Sequence, residues 1–359
     1  MIIEEVEMKD FRNYPALSIR PDPGINIFYG NNAQGKTNFL EAVYLCGTSR
    51  SHRGSKDREM IRFGCEEAHI RTEVSKKGRK DRIDLHLRRN KTKTIFVNRL
   101  PIHRASELFG ILNLVFFSPE DLDIIKEGPA ERRNFMDREL CQLDRIYLED
   151  LKNYHKVLDQ RNRLLKDLYT HPDLEGTLDV WDQQLVHYGS RIIERRQDFS
   201  DELNEISHEI HSGLTKKQED MEVIYQPSCN VSDFSDLLRS AREKDIRFAQ
   251  TSLGPHRDDL LIRSNGIEMR KFGSQGQKRT CALSLKLSEI RLVEEMIKDK
   301  PVLLMDDVLS ELDQSRQDDL LSGIGHIQTF ITCTGMEDFI RRQFPVNKVF
   351  HVTDGKMDR

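Results

Sequence analysis

No stretch of about 18 apolar residues occurs anywhere in the 359-residue sequence, which excludes a helical membrane span. Six cysteines are present, Cys46, Cys65, Cys141, Cys229, Cys281 and Cys333, but no C-x-x-C pair, so neither a zinc site nor a disulfide framework is expected. The opening stretch MIIEEVEMKDFRNY lacks the apolar core of a signal peptide. Together these absences set the expectation of a cytoplasmic chain in a reducing compartment. Charge of one sign is also missing. With 56 Lys and Arg against 60 Asp and Glu, the net charge is -4, so any polyanion must be met by a local patch.

What is present begins with glycine. The run GINIFYG reads as a short strand feeding directly into GNNAQGKTNFLEAV, residues 30 to 43. Gly30, Asn31, Asn32, Ala33, Gln34, Gly35, Lys36 and Thr37 fit G-x-x-x-x-G-K-[ST] in full. Glycines let such a loop curl so that its N–H groups point inward at the β- and γ-phosphates, while the lysine adds a compact charge. Thr37 is the Mg²⁺-ligating position, and Asn38 lies on the helix that follows. Far down the chain, VLLMDD supplies the expected partner: a buried parallel strand ending in carboxylates. Asp306 would hold Mg²⁺, and Asp307 would reach the attacking water.

A second glycine turn, FGSQGQKRTCALSL, spans residues 272 to 285. Ser274 offers a hydroxyl, Gly276 a closely approaching N–H, and the helix starting near Gln277 directs its positive end at an anion. The same residues also suit a cap that serves only its own helix.

Between the two motifs the pattern changes to long helices. Leu140, Tyr147, Leu151, Tyr154, Leu158, Leu165 and Leu168 fall on a near-heptad stripe interrupted by Arg161. After the turn-rich THPDLEGT, a second stripe runs through Trp181, Leu185, Tyr188, Ile192, Phe199, Leu203, Ile206 and Ile210. Two such helices form an antiparallel hairpin with adjacent ends, a shape that can be inserted into another domain. The reading is an α/β nucleotide domain of residues 1–118 and 219–359, carrying an α-helical domain at 119–218. Alternating stretches from 69 to 98 suggest antiparallel strands, with RRNKTK as a basic turn that is either a solvated tip or a DNA contact.

The order of phosphate loop, helical interruption, S-x-G-Q turn and LLMDDVLSELD resembles the ATPase heads of the ABC superfamily, in its SMC-like branch. Within that branch the chain resembles the RecF family of bacterial recombination mediators. DFRNY, FFSPEDL, RRNFMD, GPHRDDL and SQGQKRT carry the resemblance from one end to the other. It implies an ABC-type P-loop head with an inserted helical hairpin, ATP and Mg²⁺ as cofactors, and an ATP-dependent homodimer on double-stranded and gapped DNA. RecR and RecO are the implied protein partners.

By the same resemblance, Arg12 and Asn13 belong to the nucleotide site, and SPEDL stands in place of the Q-loop glutamine, with Glu120 or Asp121 as the candidate metal-side contact. Ser274, Gly276 and Gln277 contact the partner subunit's nucleotide, with Asp313 of SELD crossing the interface. The chain departs from transporters twice. FITCTG replaces the switch histidine, leaving Thr332, Thr334 or no residue to meet the γ-phosphate, and Asp307 stands where a glutamate is common, which implies slow hydrolysis. Candidate DNA contacts are Arg53, Arg88, Arg89, Arg132 and Arg133. A transporter's nucleotide-binding subunit and a monomeric P-loop kinase are the alternatives; the first is disfavoured by the helical insertion and missing histidine.

Overall fold

The computed structural model describes residues 1–104, 107–335 and 346–358. The chain forms two compact units: Met1–Asp121 with Glu289–Arg359, and Leu122–Ser288. The return to the first unit therefore falls at residue 289 and not at 219. The reason lies in Glu222–Gln226 and Asp259–Ser264, which pair antiparallel with each other and pack on helices of the second unit.

The first unit holds two six-stranded sheets. One is antiparallel, in the order Tyr14–Ile19, Ile2–Phe11, Glu67–Lys76, Arg79–Arg88, Lys91–Val97, Leu100–Ile102. Its alternating sequence puts Ile70, Val74, Ile83, Leu85 and Leu87 into the core, and the basic turn joins two of its strands as expected. The other sheet runs Lys356–Asp358, Lys348–Thr353, Ile25–Tyr29, Thr329–Cys333, Val302–Asp306, Leu114–Phe117, parallel except for its terminal hairpin. Its central strands are nearly continuous apolar runs because both faces are covered.

Between the sheets lies the helix Lys36–Thr48, buried over most of its length. Phe28 anchors it: its ring centroid lies 4.5 Å from Phe39 and 4.9 Å from Phe350, with Phe330 at 5.9 Å. Such ring pairs contribute about 0.5–1.5 kcal/mol each beyond area burial. They pin the strand and helix that flank the phosphate loop.

In the second unit the first stripe is split. Asp144 ends the helix Pro129–Leu143 and caps the next, Arg145–Asp167, by accepting from the amides of Ile146 and Tyr147. The second stripe is one helix, Leu178–Leu214, packed against Arg145–Asp167 as the expected hairpin. Leu185, Ile192, Phe199 and Leu203 are fully buried along it, while Trp181, Tyr188 and Ile210 are only half-buried.

Buried charge accompanies this core. Arg161, the interruption in the first stripe, is fully buried, with Asp182 at 2.6 Å, Asp245 at 2.8 Å and the Thr251 hydroxyl at 2.8 Å. Arg196 bonds Asp137, Asp258, the Pro255 carbonyl and the Tyr147 hydroxyl.

His256 is held neutral: Nε2 donates to the Thr251 carbonyl at 3.1 Å, and Nδ1 accepts from the Tyr154 hydroxyl at 2.7 Å. Burial pushes its pKa down to about 4. The unfolded chain takes that proton near the ordinary value of 6.5, whereas the folded chain resists until about 4. Stability is therefore lost as pH falls through that window, by ~2 kcal/mol between pH 7 and 5 for this group. His256→Gln should flatten the pH dependence of the melting temperature by that amount. An unchanged slope would contradict the assignment.

Candidate functional site

The phosphate loop follows the strand Ile25–Tyr29 and is shaped by its glycines. Gly35 has φ +114, and a Cβ there would meet the Asn13 side chain at 2.6 Å, so only glycine fits this close approach. Asn13 holds the loop from above, donating to the Gln34 carbonyl at 2.8 Å and accepting from Asn38 at 2.9 Å. The Tyr14 hydroxyl donates to the Gly35 carbonyl at 3.0 Å. From the far end of the chain, the amides of Asp354 and Gly355 donate to the side chain and carbonyl of Gln34.

Lys36 folds back onto its own loop, its Nζ 2.5 Å from the Gly30 carbonyl and 2.9 Å from that of Asn31. Burial lowers its pKa, and Asp307, Cys333 and Asp306 pull it back up. Those two carbonyl contacts preset the ammonium inside the curl, where a phosphate oxygen would sit. Asn31, Asn32 and Ala33 form the exposed rim, with Ala33 in the left-handed region at φ 64.

The metal strand arrives through the sheet register. Val302–Asp306 lies beside Thr329–Cys333, itself beside the loop strand, and Asp306 is level with Thr332. Asp306 Oδ1 accepts from the Thr37 hydroxyl at 2.8 Å and from the Thr332 hydroxyl at 2.7 Å. Residues 269 positions apart thus share one hydrogen bond. Thr332 Oγ1 also accepts from the Asp307 amide at 2.9 Å, so its hydroxyl positions the metal strand. Thr334 is exposed beyond the strand end. Asp307 adopts φ +53, a turn that re-aims the chain where the strand stops.

A hydroxyl and a carboxylate side by side suit Mg²⁺, which keeps several waters and is completed by substrate phosphates. Among the described residues no group of three or more His, Cys, Asp or Glu is arranged to hold a metal by itself. Glu120 is exposed on the turn after Leu114–Phe117, whereas its neighbour Asp121 is buried and accepts from the Ser118 amide at 2.8 Å. Asp121 is therefore a local cap.

Sequence reasoning missed the support beneath Arg12. Its guanidinium forks onto Glu41 at 2.8 and 2.9 Å and donates to Ser55 Oγ and the Glu59 carbonyl. Burial would raise the Glu41 carboxyl, but hydrogen bonds from Arg12 and Ser51 outweigh it and hold it below its usual value. The available signal was an acid inside the apolar run FLEAVYLC. Gly355 and Tyr14 act only through the folded sheets.

In the second unit, the Ser274 hydroxyl accepts from the Gln277 amide at 3.2 Å, and Gln277 Oε1 accepts from the Ser274 amide at 3.0 Å. This reciprocal cap starts the helix Gln275–Ile297, which carries Gly276 in its first turn. Gln277 also donates to Glu219 at 3.0 Å. Asp313 caps the helix Gln314–Ile324 and pairs with Arg316.

The five arginines separate. Arg53 is exposed and touches Asn38 at 3.2 Å; Arg88 and Arg89 are partly exposed, with acidic neighbours at 3.8 and 3.9 Å. Arg132 is only 4% exposed, forked onto Asp259 at 2.7 and 3.0 Å, so it is a structural ion pair and not a DNA contact. Arg133 is half-buried and donates to the Asp258 carbonyl at 2.7 Å, without the carboxylate fork that holds Arg132.

Comparison with known proteins agrees with this arrangement. Residues 2–357 match the family of RecF/RecN/SMC N-terminal domains. The DNA replication and repair protein RecF of Lachnospira eligens is 59% identical, over 99% of this chain and 98% of that protein. The protein of the same name from Agathobacter rectalis is 57% identical over 100% and 99%. A solved structure of the recombination mediator RecF with ATP, from the RecFOR pathway, superposes with a TM-score of 0.92 at 36% identity, over 99% of this chain and 96% of that one. A Pyrococcus furiosus Smc head shares the fold alone, at a TM-score of 0.57 and 16% identity, over 99% of this chain and 95% of that one. A phosphate loop braced by Asn13, a metal strand joined to it through Thr37, and full-length identity well above half place this chain in the RecF family.

Proposed function

We propose that this chain is an ATP-dependent DNA-binding recombination mediator, which dimerises on ATP, engages duplex or gapped DNA, and lets go on slow hydrolysis. The single observation that carries the reading is the 2.8 Å bond between Thr37 and Asp306, which joins the phosphate loop to the metal strand. Lys36 would neutralise β- and γ-phosphate charge, while Thr37 and Asp306 would hold Mg²⁺, with Glu120 on the metal side. Bound Mg²⁺ would supply charge neutralisation at the transferred phosphate. Asp307 orients the attacking water, and as the shorter acid it does so weakly, which suits a timed switch.

The cap at Ser274 leaves the hydroxyl's own hydrogen available as a donor, so that residue, Gly276 and Gln277 can serve a second subunit's nucleotide without dismantling their helix. Asp313 and Thr334 would flank the same composite site. Arg53, Arg88 and Arg89 remain as DNA-phosphate contacts. RecR and RecO are the proposed protein partners, in keeping with the pathway in which the solved relative acts. Among the described residues no helix is long and apolar enough to cross a membrane.

Binding to gapped, blunt and single-stranded DNA, with ATP, ADP or neither across a salt series, tests the reading. ATP should tighten duplex binding more than ADP does. Lys36→Met should lose that dependence through weakened nucleotide binding, while Asp306→Asn mainly loses the dependence on Mg²⁺. Equal DNA affinity in every nucleotide state would overturn the proposal.

A further inference from the structure

The second unit contains a cavity of about 220 Å³ between its helices and the turn at Pro255–Arg257. Arg133 lines it, and its setting differs from that of the other buried arginines nearby. Arg132 is paired with Asp259, Arg161 with Asp182 and Asp245, and Arg196 with Asp137 and Asp258. Arg133 has no carboxylate partner among the described residues; it makes one bond, from Nη1 to the Asp258 carbonyl at 2.7 Å. A half-buried guanidinium therefore keeps most of its N–H donors without a protein acceptor. Burial, and then the charge of Arg196, depress its pKa, while the charges of Asp258, Asp259 and Asp137 pull it back up without any of the three forming an ion pair with it.

The surroundings indicate which anion. Exposed Asn134 and His155 also line the cavity and make no side-chain hydrogen bond among the described residues. Asp137 lies in the wall, where its Oδ1 accepts from the Tyr147 hydroxyl and from Arg196. Leu151 and Pro255 add apolar surface, and the first turn of the helix Pro129–Leu143 adds its positive end through Ala130. We propose that this cavity is a binding site for the carboxylate of an acidic side chain presented by a protein partner. The guanidinium and the Asn134 amide would take the carboxylate, and the apolar wall its methylene stem. A nucleic-acid backbone fits less well. It repeats its charge every few ångströms and calls for a row of exposed cations, whereas the two arginines here are recessed and one of them, Arg196, is already paired with Asp137 and Asp258.

The test uses the full chain with isotope-labelled histidine, following the His155 ring resonances by NMR. The probes are the acetylated and amidated tripeptide Gly-Glu-Gly, its Gly-Gln-Gly analogue, and a short DNA duplex. The glutamate peptide should give a saturable shift at millimolar concentration, and the glutamine peptide should bind about tenfold more weakly or worse. Arg133→Gln should weaken the glutamate peptide by a similar factor, and so should Asn134→Asp, an exposed change that places a carboxylate at the entrance without disturbing packing. Overturning results are equal shifts from both peptides, no saturable shift with any probe, or tighter binding of the duplex at these resonances, which would reassign the cavity to phosphate.

Discussion

Asp307→Asn should lower ATP turnover by about 10² to 10⁴ while leaving nucleotide binding near that of the unaltered chain. The substitution is clean for a structural reason. Asp307 sits at φ +53, a left-handed conformation that asparagine tolerates better than most residues, and the bond its amide donates to Thr332 is made by the backbone. The turn at the end of the metal strand therefore persists. What disappears is the carboxylate charge proposed to orient and deprotonate water, since Asp306 is already engaged by Thr37 and Thr332. Single-turnover hydrolysis, measured beside nucleotide affinity, separates the two effects. Unchanged turnover would assign the base to another group.

Arg161→Met should destabilise the helical unit by ~3–5 kcal/mol, because it leaves buried carboxylates without their cation. Asp245 is fully buried, and after the change it would keep only neutral donors such as the Ser252 amide at 3.0 Å. Asp182 would retain Arg242 at 2.8 Å, so the cost concentrates on Asp245. The single tryptophan, Trp181, lies on the long helix of this unit, and its fluorescence in a urea titration reads the loss directly. Arg242→Met, at a more exposed pair, is the control and should cost less. Equal small effects in both variants would show that the buried network contributes little.

These two sites also show what the sequence made legible. The phosphate loop could be read because its chemistry lies within fourteen consecutive residues, and the metal strand because apolar residues ending in Asp306 and Asp307 have few other uses. The helical hairpin was legible from its stripes. Its break at Asp144 depends on one side chain choosing to cap, which periodicity does not encode. Arg161 looked like a flaw in the stripe, because the acid that completes it, Asp245, lies 84 residues later. Arg132 looked like a surface cation for the same reason: Asp259 reaches it only once the strand Asp259–Ser264 is in place. The return of the chain to the first unit was placed too early because strand-like patterns do not say which sheet they join.

The central claim is that the turn at Ser274 serves the nucleotide of the opposite subunit. It is tested by mixing Asp307→Asn with Ser274→Ala chains, with subunit exchange confirmed independently, and measuring ATP hydrolysis. If the turn acts across the dimer, one composite site carries both lesions. The other pairs an intact Asp307 with an intact Ser274, so activity partly returns on mixing. If the turn serves its own subunit's nucleotide, every site keeps one lesion. Activity that stays at the level of the separate variants would contradict the account.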